Sequence, residues 1–153
     1  MGFLTGKTAI ITGAGRAVLK DGSCGSIGYG IATAYAKEGA NLVITGRNVK
    51  KLEAAKQELE SLYGIKVLTV QADVCAGGNN EATVANVVKQ AVDTFGGIQV
   101  LINNAQASAS GVPLTEHTTE QFDLAIYSGL YAAFYYMKAC YPYLCLLYTS
   151  PSS

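Results

Sequence analysis

The feature that most constrains this chain is a regular alternation of two hydrophobic periodicities. Thr8 to Thr12, Leu42 to Thr45, Val67 to Val70 and Val100 to Ile102 are short, apolar and rich in β-branched residues. Near-continuous apolar runs of this kind read as strands buried on both faces of a parallel sheet. The stretches between them have helical spacing: Leu52, Ala55, Leu59 and Leu62 fall on one stripe, and Val84, Val87, Val88, Ala91, Val92 and Phe95 on another. Gly39, Gly64 and the Gly96-Gly97 pair follow three of the helices, where a left-handed cap ends a helix. Parallel strands joined by helices cross over right-handed, which predicts an α/β, doubly wound parallel sheet of four strands in the order 3-2-1-4. Strands one and four are then neighbours whose crossovers leave in opposite directions, and the crevice at their C-terminal ends is the expected ligand site. Chemistry is therefore expected just after Thr12 and just after Ile102.

Composition narrows the partner. With 153 residues, 50% hydrophobic and 14% charged, the chain has enough apolar material for one packed domain. Eleven basic side chains balance eleven acidic ones, so no positive field is available to hold nucleic acid or an anionic membrane, and a small-molecule partner is expected. Cys24, Cys75, Cys140 and Cys145 form no Cys-x-x-Cys pair and have only His117 as a companion, which points to neither a metal site nor a disulfide framework. Reduced thiols and a cytoplasmic location are the expectation. The N-terminus has no basic region followed by an apolar run, and folding is expected to start at residue 7. The apolar region from Leu124 is interrupted by Lys138 and Pro142 before it reaches spanning length, and reads as a buried or interface helix.

After the first strand comes Thr12-Gly13-Ala14-Gly15-Arg16; after a polar insertion, Gly25-Ser26-Ile27-Gly28-Tyr29-Gly30 opens a helix. Taken alone, the glycines would also suit a flexible loop. Between an apolar strand and an amphipathic helix they point to dinucleotide binding, because they let a diphosphate approach the N-H groups and positive dipole end of the helix. The second strand ends in Thr45-Gly46-Arg47-Asn48, where an NAD-binding fold places an acidic residue on the ribose hydroxyls. No carboxylate is there, and Arg47, with Arg16 as a second cation, offers guanidinium groups to a 2′-phosphate. NADP(H) is favoured, with NAD(H) as the alternative; the bland reading of Arg47 is a solvated residue near a helix start.

Thr12 and Gly13 begin, and Gly28 ends, a pattern that resembles the Thr-Gly-x-x-x-Gly-x-Gly motif of the short-chain dehydrogenase/reductase family. Ser26 stands where that motif has its middle glycine, and about ten extra residues around Ala17 to Gly25 split it. The loop Ser26-Ile27-Gly28 is also similar to that of the divergent enoyl reductases. Asp73-Val74 resembles the family's adenine-contacting pair, and Asn103-Asn104-Ala105 its Asn-Asn-Ala-Gly, with Gln106 in place of the glycine. The resemblance, from about Gly6 to Leu144, implies a Rossmann-type domain over 1–144 in which the later strands are missing. It implies Thr12, Gly13, Gly15, Arg16, Ser26, Ile27, Gly28, Arg47, Asp73, Val74, Asn103, Asn104 and Ala105 as cofactor-binding residues. Paired asparagines usually mark a turn; at the switch point they are expected to brace the sheet and line the crevice.

The family's catalytic asparagine, serine and Tyr-x-x-x-Lys cannot be placed. Matching Phe122-Asp123 to the family's Phe-Asp puts Gly129, beside Ser128, at the asparagine position, and no tyrosine has a lysine four residues on. Tyr135, Tyr136 and Lys138 read as core or interface residues, and His117 as a solvated surface histidine. Residues 145–153 lack strand or helix pattern and resemble translated cloning-adaptor sequence, which suggests an incomplete reading frame. An incomplete domain would leave the fourth strand as an open edge and the helix of Leu124, Tyr131, Phe134 and Met137 short of packing partners, with poor solubility. For the whole protein the resemblance implies a homodimer or homotetramer that interconverts a carbonyl and an alcohol, with 3-oxoacyl thioester reduction as a specific case. Enoyl reduction and a non-catalytic dinucleotide-binding protein are the alternatives, and the fragment itself is expected to be inactive.

Overall fold

The computed structural model describes residues 2–74 and 80–144; Cys75, Cys145 and the tail 145–153 lie outside them. Strands β1 (Thr8–Thr12), β2 (Asn41–Gly46), β3 (Val67–Gln71) and β4 (Val100–Ile102) alternate with helices α1 (Ile27–Lys37), α2 (Val49–Tyr63) and α3 (Asn80–Phe95). All pairs are parallel and the order is β3-β2-β1-β4, as predicted. Ile10 of β1 is opposite Val43 of β2 on one side and Leu101 of β4 on the other.

Every residue of β1 is buried, which explains the unbroken apolar run: successive side chains point to opposite faces, and both faces are covered. Ala9, Ile11, Leu42 and Ile44 pack with Leu52, Ala55 and Leu59 of α2 and Ala32 and Ala36 of α1. Ile10, Val43 and Val70 pack on the other side with Val84, Val87 and Val88 of α3 and with Tyr136 and Cys140 farther on. Leu62 departs from its predicted stripe and is 63% exposed. It lies in the last turn of α2, which flanks the edge strand β3, so there is little sheet left for it to cover. Packing also begins earlier than residue 7: Leu4 is buried and its N-H donates to the Glu38 carbonyl at 3.1 Å.

Beyond β4 the chain forms a 3-10 turn (Leu114–Glu116), α4 (Thr119–Ala125), a π-helical turn (Ile126–Tyr131) and α5 (Ala132–Leu144). Thr118 and Gln121 close a reciprocal capping box at the start of α4. Among the described residues, β4 pairs only with β1, and its three residues are half-buried. Leu130, Tyr131, Phe134 and Met137 are exposed, whereas Leu124 is half-buried. No helix of the described residues is long and apolar enough to cross a membrane.

Candidate functional site

The site is organised by the hydroxyl at the end of β1. Thr12 Oγ1 accepts the N-H groups of Asn104 and Ala105, both at 2.9 Å, and thereby fixes the chain leaving β4 against the chain leaving β1. The Asn104 carboxamide donates in return to the carbonyls of Thr12 at 2.9 Å and Gly13 at 3.3 Å. The expected brace across the switch point is thus observed. Close packing explains the glycines beside it. Gly13 has φ +69°, and a Cβ on Gly28 would lie 2.3 Å from the Gly13 carbonyl oxygen and 2.5 Å from Asn104 Nδ2. Only glycine at 28 lets α1 start this close to the strand ends.

The insertion does not break the motif apart. Val18 and Cys24 form an antiparallel bridge, Leu19 N-H donates to Ser23 O at 2.9 Å, and Asp21 accepts from the Ser23 backbone and hydroxyl across the Asp-Gly turn. Gly25 N-H then donates to Ala17 O at 2.7 Å. The extra residues therefore loop out as a small hairpin that returns the chain to its starting point, next to Arg16. Ser26 is the N-cap of α1, its side chain accepting from Tyr29 N-H at 3.4 Å. Ile27 has its side chain exposed and, with Gly28, occupies the first turn, where N-H groups have no intrahelical acceptor.

An outer cleft of about 200 Å³ is lined by Gly13, Thr45, Gly46, Arg47, Asp73, Val74 and Ala105 among others. It continues to a shelf where Gly15, Ser26, Arg47, Asn48 and Lys51 meet. Asn48 caps α2 by accepting Lys51 N-H at 3.0 Å. Arg47 is exposed on this shelf and has no ion-pair partner among the described residues. Arg16, predicted as the second cation, is placed elsewhere: its Nε is ion-paired with Glu58 of α2 and its N-H donates to Lys51 O at 2.8 Å. That pair holds the Glu58 carboxyl below its usual range, mainly through the hydrogen bond from Arg16 and then that from Tyr29. The Tyr29 hydroxyl is pushed up to about 12 by burial, with Glu58 adding to the shift. The cation that joins Arg47 on the shelf is instead Lys51: Arg47 precedes the Asn48 cap and Lys51 lies in the first turn of α2, so the start of the helix brings both to the shelf.

An inner cleft of about 130 Å³ is shared by Thr12, Asn103, Asn104, Gln106, Ser128, Gly129 and Tyr136, and has Val74, Asn104, Ala105 and Gln106 in common with the outer one. Its far wall is the π-turn. Ser128 is buried; its hydroxyl accepts Ala107 N-H at 2.9 Å and reaches the Leu124 carbonyl at 2.7 Å, tying the loop after β4 to this turn. Buried Asn80 donates to Tyr127 O at 3.1 Å and anchors the same turn to α3. Single π-turns of this kind are enriched at functional sites. Tyr136 is buried, which pushes its hydroxyl up to about 12, and Lys138 pairs with Glu81 at 2.7 Å. Lys138 lines neither cleft.

Residues 7–149 match the short chain dehydrogenase family. The chain belongs to the short-chain dehydrogenase family. A curated family member, the 12alpha-hydroxysteroid dehydrogenase of a Clostridium species, is 61% identical over 144 residues, covering 94% of this chain and 53% of its own. The L-sorbose reductase of Gluconobacter frateurii, solved with NADPH and L-sorbose, superposes with a TM-score of 0.80 at 30% identity, covering 96% of this chain and 50% of the reductase. A metagenomic short-chain oxidoreductase solved with NADP gives 0.79 at 27% identity, covering 94% of this chain and 59% of the other. This short-chain dehydrogenase chain therefore spans about half the length of the curated relative it matches.

Proposed function

We propose that the cleft between β1 and β4 binds a nicotinamide dinucleotide, NADP(H) in preference to NAD(H), and that the full-length protein interconverts a secondary alcohol and a ketone. The observation that carries this is the continuity of the cleft, from Arg47 and Lys51 past Gly13, Asp73 and Val74 to Ser128 and Gly129. Its polar groups succeed one another in an order that suits an extended dinucleotide. The cations at the start of α2 suit a 2′-phosphate, the first-turn N-H groups of α1 a diphosphate, and Asp73 with the Val74 backbone an adenine. Bound NADPH and NADP in the two solved relatives support the same reading.

The bound cofactor supplies or accepts the hydride. The residues in hand orient it: the Thr12 and Asn104 brace keeps the cleft open at the switch point, and Ser128 fixes the wall against which the reacting end would lie. Identity of 61% to a 12alpha-hydroxysteroid dehydrogenase favours a hydroxysteroid over a 3-oxoacyl thioester as substrate. The serine that suggested enoyl reduction has a local role as the cap of α1, and gives that alternative no further support. We propose a homodimer or homotetramer for the full-length protein, in which the exposed face of Tyr131, Phe134 and Met137 is one candidate contact surface.

The test is to follow NADPH and NADH with full-length protein and a panel of 12-oxosteroid, L-sorbose and 3-oxoacyl thioester. Turnover of the steroid with NADPH is expected. Binding of NADPH without turnover of any member would support a non-catalytic protein instead.

A further inference from the structure

Gln106, in the loop after β4, and Gly129, inside the π-turn, face each other in the inner cleft. A Cβ on Gly129 would lie 3.5 Å from Gln106 Nε2, 3.7 Å from its Cγ and 3.8 Å from its Cδ. The first carbon of a side chain at 129 would make ordinary van der Waals contact with the carboxamide, and a bulkier side chain growing toward the loop would press on it. Backbone conformation does not demand a glycine there, because Gly129 is not among the glycines with positive φ. Helix propensity argues against one. Glycine at 129 keeps this face of the π-turn clear of Gln106.

Gln106 in turn lines both the outer and the inner cleft, so a ligand extending from Arg47 to Ser128 must pass it. Among the described residues, its carboxamide makes no hydrogen bond with the protein. A carboxamide has two donor hydrogens and an acceptor oxygen without charge, which suits hydroxyl and amide groups better than phosphate. The cations of the cleft lie at its opposite end, on the shelf of Arg47 and Lys51.

We propose that Gln106 is a binding residue for the uncharged, inward half of the dinucleotide, the nicotinamide riboside, and that Gly129 acts with it by keeping its position open. This rests on the cofactor reading above. Full-length wild type, Q106A, G129V and the double variant are titrated with NADPH and with 2′,5′-ADP, which has only the adenosine half. Loss of one neutral hydrogen bond weakens NADPH binding by about fivefold in Q106A. Affinity for 2′,5′-ADP stays within roughly a factor of two, the spread expected for a site that does not touch the probe. G129V, which displaces the carboxamide, gives the same selective loss, and the double variant binds no more weakly than the worse single one.

Equal weakening of both ligands in Q106A, or losses that multiply in the double variant, would overturn the proposal. So would an unchanged NADPH affinity in Q106A when wild type binds NADPH, and that outcome leaves the cofactor reading standing. No binding of NADPH by wild type overturns the cofactor reading itself, and this proposal with it. Should G129V fail to fold, Q106A and its two ligands decide the matter alone, since Gln106 is an exposed loop residue.

Discussion

Thr12→Val removes one oxygen and changes the shape of the side chain hardly at all, yet it should be among the most damaging substitutions in the sheet. Thr12 is 2% exposed, and its Oγ1 is the acceptor for two backbone N-H groups, those of Asn104 and Ala105, each at 2.9 Å. Valine would set a methyl group against both donors. Leaving a buried donor unpaired costs about 1–3 kcal/mol, so the pair should cost roughly 2–4 kcal/mol, the lower part of the combined range because both groups border an open cleft. That is a large fraction of the roughly 5–15 kcal/mol by which a domain is stable. With a urea dependence of about 1–3 kcal/mol per molar, the midpoint of unfolding should fall by about 1 M or more with an unchanged slope. Thr12→Ser keeps the oxygen and should recover most of the loss. Urea unfolding of the three full-length proteins, followed by circular dichroism, makes the comparison. A T12V midpoint within about 0.3 M of wild type would refute the idea that this hydroxyl holds β1 and β4 together.

Gly28→Ala should abolish dinucleotide binding and cost about 1–3 kcal/mol through overpacking, because its Cβ would meet the Gly13 carbonyl at 2.3 Å. Gly30→Ala is the control, since its Cβ meets only the Cys24 sulfur at 3.2 Å. Arg47→Glu should lower NADPH affinity roughly ten- to a hundredfold, the worth of a charge-assisted hydrogen bond, and raise the NADH to NADPH preference; titration with both coenzymes reads this directly. Glu58→Gln tests the tie between α2 and the glycine loop. The Glu58 carboxyl titrates below its ordinary value of 4.5 in the folded protein, so its contribution is complete above pH 4.5 and is lost as pH falls through the folded value. The stability gap between wild type and E58Q should therefore close in acid, and a gap equally wide at about pH 3 and pH 7 would dismiss the tie.

The sheet was legible because a strand covered on both faces has little choice but to be apolar throughout, as Thr8–Thr12 is. The glycine caps were legible for a similar reason, since Gly39 and Gly64 take a positive φ that other residues resist. The position of Arg16 was hidden because its partner, Glu58, is 42 residues away on another helix, and composition at either place does not reveal the pairing. Lys51 could be found by following the chain from Arg47 past the Asn48 cap into the first turn of α2. The hairpin in the insertion had its signal in Asp21-Gly22, a turn-forming pair between Val18 and Cys24. The π-turn left a fainter trace. A shift from i+4 to i+5 bonding has no composition of its own, and Gly129 in the middle of a helical pattern was its nearest mark. Gln106 and Gly129 each stood out singly against the family motif, but only the structure brings the two together.

A crystal structure of the full-length protein with NADP(H) tests the central claim most directly. The 2′-phosphate is expected at Arg47 and Lys51, the adenine beside Asp73 and Val74, the diphosphate over the first turn of α1, and the nicotinamide end between Gln106 and Ser128. A dinucleotide lodged elsewhere, or a cleft that stays empty at saturating NADPH, would contradict it.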